Sequence, residues 1–401
     1  MTTPDSTGGR RRLDLDWIRV AAFALLILYH VGMLYVPWGF HVKSLHESRT
    51  LEAAMIALNP WRLSILFLVS GAATRFMLDK TSPGSLARLR SWRLLVPLAF
   101  GMVVVVPPQS WAEVAQKLGY ADSYWTFWLG HYLAFDQGFC PVENGRSACI
   151  VLPTWNHLWF VAYLWAYTMV LLALASLAPG ALAAAGRWAQ RLSGAALLIG
   201  PALVLAAFRA VLLPRFPVTH ALVDDPYAHA VYGSAFLLGF LIARSHASAE
   251  ATVRLRWPAL LIALAAYLLL TWLRSLPAGT PLRMALPLVY GFDQWCWILA
   301  ILGFARRWLS DRDGALLRYA AGAVFCWYIV HQTIIVVVAH WLKPLALPMA
   351  AEATIVIGAT VAGCWASYEV ARRVPLLRPL MGIAPEKTGR EAGLSLRPSP
   401  R

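Results

Sequence analysis

The chain has 401 residues, of which 59% are hydrophobic and 14% are charged. That charged share is far below the quarter usual for soluble domains, and with a mean hydropathy of +0.58 it excludes an ordinary water-soluble fold. The net charge is +15, but the apolar runs are long and continuous rather than alternating, which excludes a membrane β-barrel.

The composition predicts an all-α, polytopic membrane bundle of about ten transmembrane helices. Met1–Arg12 reads as a short, disordered basic tail, followed by a membrane domain over residues 13–373 and a second basic tail over 374–401. The polar, basic start and the overlong apolar run after it argue against a cleaved signal peptide, so the first span is expected to stay as a signal anchor.

That first span, about Trp17–Val36, carries Arg19 and His30 inside or beside its apolar run. Eleven positions at roughly 100° per residue make about three turns, so both side chains share one face about 16 Å apart along the axis. Each has a plain explanation: Arg19 as a snorkelling interface anchor, His30 as a core histidine bonded to a carbonyl. Their shared face points instead towards a site, because ionisable groups in a bilayer usually face a bundle interior or a wet cavity.

The outer loop 38–59 holds His41, His46 and Glu47, without the tight spacing that metal ligands need. The second span, Trp61–Leu78, opens on Arg62, an anchor or the lip of a cavity, and contains Ser70 and Gly71, small enough for close helix approach. Lys80–Pro97 is a basic cytoplasmic loop entering the third span; Arg90 and Arg93, three apart, share a helical face that could clamp phosphate. The third span is expected to end at Pro107-Pro108. A long outer segment, 109–156, then carries Cys140 and Cys149, a candidate disulfide.

His157 and Trp159 sit at the outer end of the fourth span. Spans five (Gly194–Leu213) and six (His229–Ala243) flank a loop whose Asp224 and Asp225 precede a proline, a turn signal more than a cation site. Span seven is Pro258–Leu273. Span eight, Leu286–Ala305, buries Asp293, which needs a partner at that depth, and a histidine across the bundle is the natural candidate. Span nine contains Tyr328, His331 and Gln332, and span ten is Ala353–Val370.

With these spans the segments on one side carry 25 Lys+Arg against 10 Asp+Glu, and those on the other carry 10 against 10. The positive-inside rule then puts both termini in the cytoplasm, and it explains the basic excess by topology, with no nucleic-acid partner. The sequence has no HExxH, GxSxG or P-loop motif. Without a nucleophile motif, direct transfer with a histidine base is favoured over a covalent enzyme intermediate.

Six stretches together resemble the acyltransferase 3 family of integral membrane acyltransferases: LDWIRV…LYH (Leu15 to His30), FLVSG (Phe67–Gly71), RSWR (Arg90–Arg93), HLWFVAYL (His157–Leu164), GSAFLLGF (Gly233–Phe240) and YIVHQTIIV (Tyr328–Val336). The late YIVHQ segment is most similar to the branch that contains the succinyl-transferring C protein of periplasmic glucan synthesis. The resemblance implies a multi-pass protein of the bacterial inner membrane that moves an acyl group from cytoplasmic acyl-CoA, a co-substrate rather than a bound cofactor, to a hydroxyl of a periplasmic or surface glycan.

It further implies His30 as the catalytic residue and Arg19, Arg90 and Arg93 as donor-binding groups. Asp293 is expected to orient the His30 imidazole. Arg62, Ser70, His157, Trp159, Tyr328, His331 and Gln332 are expected to line the acceptor path. The alternative is a proton-coupled secondary transporter, since intramembrane His and Asp also serve proton relays. The absence of an internal repeat weighs against it.

Overall fold

A computed structural model of the chain describes residues 11–143, 146–147 and 149–384, with side chains excluded over 142–148. The parts of the two expected basic tails at 1–10 and 385–401 lie outside the described residues. Nine helical stretches among the described residues are long and apolar enough to cross a bilayer, and Pro226–Ile242 is a shorter apolar tenth. We number the main helices of these stretches α1 (Leu13–Gly32), α2 (Arg62–Leu78), α3 (Pro83–Phe100), α4 (Trp159–Leu177), α5 (Gly194–Val211), α6 (Ser234–Ile242), α7 (His246–Ser275), α8 (Leu286–Leu309), α9 (Ala315–Leu342) and α10 (Met349–Arg373).

The helices have no clean amphipathic stripe, as expected when lipid replaces water on the outer surface and packing replaces the hydrophobic drive between helices. Glycines set the closest approaches. A Cβ on Gly71 of α2 would run into the backbone carbonyl of Phe236 on α6, and one on Gly239 of α6 into that of Leu68 on α2. The short α6 therefore lies backbone to backbone on α2. Along α8, Gly291 meets Ala202 and Ala206 of α5, and Gly303 meets Thr252 of α7. These two contacts make α8 the most enclosed of the long helices.

Both described chain ends lie on one face of the bundle. There Arg12 stacks on Phe76 at the end of α2 (5.9 Å), buried Asp14 lies 3.7 Å from Arg306 at the end of α8, and Trp17 donates to the Arg312 carbonyl (2.8 Å). Asp79, after α2, pairs with Arg244, after α6 (2.5 Å). This is the basic face; the opposite face carries the long loops and a cavity.

The third span does not stop at Pro107-Pro108. A π-helical turn over Gly101–Val105 follows α3, and a further helix, Pro107–Leu118, continues from it. Proline is tolerated at the first positions of a helix because its missing N–H would have no intrahelical partner there. The two prolines therefore start a helix after a bend instead of ending one. The outer loop beyond closes with a Cys140–Cys149 disulfide.

Candidate active site

His30 lies near the end of α1 and His331 near the middle of α9, helices that pack along the seam containing Phe23, Ile27, Val324 and Ile335. The two imidazoles stack at 5.1 Å between centroids, and His30 Nδ1 lies 3.0 Å from His331 Nε2. Which nitrogen carries each proton follows from the next partner. His331 Nδ1 faces the Tyr328 carbonyl at 2.7 Å, and a carbonyl can only accept. A neutral His331 therefore carries its proton on Nδ1 and offers a lone pair at Nε2. His30 must then donate from Nδ1, which leaves its own Nε2 as a bare acceptor. His30 lines the large cavity, and its Nε2 has no protein partner among the described residues.

His157 is held in the opposite tautomer. Its Nε2 donates to the Ile329 carbonyl (3.0 Å), and its Nδ1 accepts from Gln109 Nε2 (3.4 Å). Tyr328 Oη in turn donates to the His157 carbonyl. Gln109 also donates to Thr333 Oγ1 (2.6 Å) and accepts from Asn156 and Gln332, each at 3.2 Å. His157, with both ring nitrogens bonded, ties the start of α4 to α9. It is a scaffold residue, unlike His30.

The cavity has a volume of about 830 Å³ and opens on the loop-bearing face. Of the residues expected along it, Arg62, His157, Trp159, Tyr328 and Gln332 line it, while His331 lies behind His30, fully buried. Ser70 is elsewhere: it is not among the lining residues, its carbonyl accepts from Thr74, and its neighbour Gly71 makes the α2–α6 contact. Its small size serves packing.

Asp293 is also away from this site. It is fully buried in α8, neither carboxylate oxygen has a partner within hydrogen-bond geometry among the described residues, the indole N–H of Trp297 one turn on being its neighbouring donor, and it does not line the cavity, although Tyr290 and Gln294 on the same helix do. The expected Asp293–His30 pairing is therefore replaced by the His331–His30 bond. Tyr290 and Gln294, four positions apart, face the cavity together, and Asp293, about 100° around the helix from Gln294, is turned out of it.

Further residues, among them Arg209, Tyr290 and Glu113, which no motif marks, complete the cavity wall. Arg209 stacks on Tyr290 (3.5 Å) and donates to Tyr227 Oη (3.2 Å). Arg62 stacks on Tyr29 (3.4 Å) and donates to Asn59 Oδ1 (2.6 Å). His41 bonds Glu113 (2.5 Å), which also pairs with Lys117 (2.8 Å). Asp225 is the turn former expected, but it also accepts from Tyr163 Oη (2.8 Å) and the His220 N–H (2.9 Å), fixing the loop above α4. His220 stacks on Trp159 at 4.2 Å, and burial holds its pKa below the usual imidazole value, so it is neutral at pH 7. No motif marks Arg209, because a lone arginine near a helix end is indistinguishable in sequence from an interface anchor.

Towards the basic face, Arg19 donates to the Ala321 carbonyl of α9 (2.9 Å) and lies 3.2 Å from Asp16. Arg90 of α3 donates to Thr74 Oγ1 of α2 (2.9 Å), and its charge is felt with those of Arg93 and Arg19 as neighbours. The Nε atoms of Arg19 and Arg90 are buried without a partner.

Fold and site together define a polytopic membrane protein with an oriented histidine at the floor of a polar cavity and an arginine cluster on the opposite face. The chain belongs to the Acyl_transf_3 family, whose acyltransferase-domain model matches residues 12–369. It is accordingly a membrane acyltransferase. Comparison with curated proteins and with solved structures finds no match.

Proposed function

We propose that the protein moves an acyl group, acetyl, succinyl or similar, from acyl-CoA bound at the basic face to a hydroxyl of a glycan that enters the cavity, with His30 as general base. In this reading the basic face is cytoplasmic, as the positive-inside bias supports, and the protein resides in a bacterial inner membrane. Arg19, Arg90 and Arg93 hold the polyanionic end of the donor, while its thin pantetheine arm carries the thioester towards His30.

The hydroxyl oxygen attacks the thioester carbonyl carbon as its proton passes to His30 Nε2. The tetrahedral intermediate then collapses, the carbon–sulfur bond breaks, and the sulfur leaves with the proton from His30 as free CoA thiol. His331 accepts from His30 Nδ1, fixing the tautomer and supporting the imidazolium formed in transit, the part that a carboxylate plays in other triads. The aromatic wall of Trp155, Trp159 and Phe160 offers faces on which sugar rings can lie.

One observation carries this reading: the hydrogen-bond chain from Tyr328 through His331 leaves His30 with a bare acceptor towards the cavity. The test is reconstitution in proteoliposomes with acyl-CoA on the basic-face side and a glucan on the other. Release of CoA thiol with acylation of the glucan is expected. Transport of unmodified solute without CoA release would sink the proposal in favour of a transporter.

A further inference from the structure

The cavity wall carries more positive charge than acyl transfer to a neutral sugar requires. Its lining includes Arg62, Arg209, Arg274 and Lys117 against one carboxylate, Glu113, and that carboxylate is already engaged by His41 and Lys117. Among the described residues, none of the three arginines has a carboxylate within ion-pair distance. Arg62 and Arg209 are instead held by neutral groups: each stacks on a tyrosine ring, at 3.4 Å on Tyr29 and 3.5 Å on Tyr290, and each donates to one further residue, Arg62 to the side-chain and backbone oxygens of Asn59 and Arg209 to Tyr227 Oη. Stacking fixes the guanidinium plane without neutralising it, and the Nε of Arg62 is buried with no partner. Interface anchors would snorkel outward to solvent or headgroups; these two line the cavity.

The position is equally telling. Tyr29, under Arg62, is the chain neighbour of His30, and the two rings are 6.1 Å apart between centroids. Arg62 therefore stands within a small substrate's length of the proposed base.

We infer that Arg62 and Arg209, with Arg274 at the rim, form an oxyanion subsite in the cavity, so that one of the two substrates carries a carboxylate or phosphate there. The anion comes from the distal carboxylate of a dicarboxylic acyl group or from a charged substituent on the acceptor glycan. This rests on the acyl-transfer reading for which substrate brings the anion, but not for the existence of the subsite. Planar guanidinium forks bind either oxyanion through paired N–H donors.

The test uses the full chain in nanodiscs, wild type against Arg62→Gln and Arg209→Gln. Thermal-shift and calorimetric titration with succinate and with inorganic phosphate reads binding without turnover. Saturable binding by wild type, weakened about tenfold or more in both variants, is expected for the loss of a charge-assisted contact. Turnover is then compared with acetyl-CoA and succinyl-CoA, each with a neutral and a phosphate-bearing glucan. The preference for the charged over the neutral substrate should fall about tenfold in both variants. A fall that follows the donor assigns the anion to the acyl group, and one that follows the acceptor assigns it to the glycan. Unchanged preference, or no oxyanion binding by wild type, overturns the subsite. Absence of turnover by wild type with every pair, beside arginine-dependent oxyanion binding, overturns the acyl-transfer reading and leaves the subsite standing.

Discussion

Two seams of this bundle each bury an ionisable group at membrane depth, and they treat it differently. Between α1 and α9, His30 is bonded to His331, His331 to a carbonyl, and the chain of bonds ends on a bare nitrogen facing a cavity. Within α8, Asp293 has no ion-pair or histidine partner among the described residues, with only the Trp297 indole beside it, and it does not line that cavity. Buried polar groups are normally hydrogen-bonded, and an unsatisfied one is costly. The first seam is thus organised to present a defined tautomer, whereas the second tolerates a carboxylate that the site does not reach. Burial of a charge is by itself a weak sign of catalysis; an oriented hydrogen-bond chain ending at a cavity is a stronger one.

The contrast is broken most directly at its strong end. His30→Ala should lower acyl transfer by about 10² to 10⁴, the usual contribution of a positioned base, with the elution profile and helical content of the purified protein unchanged. Turnover near wild type from that folded variant would end the assignment of His30.

His331→Leu should also act through His30, by removing the acceptor that fixes its tautomer. A drop in kcat on the order of 10²-fold is expected, with His331→Gln recovering part of it, since the amide oxygen can accept from Nδ1. The pH profile of kcat should change shape in the Leu variant. An unchanged profile would make His331 a packing residue.

Arg90→Ala tests the far end of the donor path. Loss of a charge-assisted contact should raise KM for acyl-CoA by about ten- to a hundredfold, and truncating the donor to an acyl-pantetheine without the nucleotide should abolish the difference. If both donors lose equally, Arg90 acts on the thioester end or on the fold instead.

Asp293→Asn, at the weak end, should leave transfer within about threefold of wild type and should not lower the melting temperature, because it removes a buried carboxylate with no ion-pair partner and keeps an amide oxygen that can accept from Trp297. A fall as deep as that of His30→Ala would erase the distinction between the two seams. Smallest of all, paired Cys140→Ser and Cys149→Ser substitutions should change transfer less than about twofold, the bridge closing a loop remote from His30.

Much of the architecture could be read directly from the residues. The polytopic helical bundle follows from hydropathy, and the shared face of Arg19 and His30 follows from helical periodicity, both local properties. The partner of His30 could not be read, because His30 and His331 are 301 residues apart and nothing in either helix alone states that they face one another. The same holds for Gln109, which lies beyond two prolines that read as a stop and turn out to begin a helix. Arg209 and Tyr290 are likewise joined only across the α5–α8 contact that Gly291 permits.

The sequence by itself therefore determined that this chain is a polytopic helical bundle, which face is basic, and which face of α1 carries Arg19 and His30. Each of these depends on hydrophobicity, charge count or a residue's spacing along its own helix. The tertiary structure alone decided which histidine orients which, that His157 is a scaffold, that Asp293 stands apart, and that Arg62 and Arg209 look into one cavity. Those are facts of how helices rotate and meet, set by glycine contacts and interhelical hydrogen bonds between residues far apart in the chain.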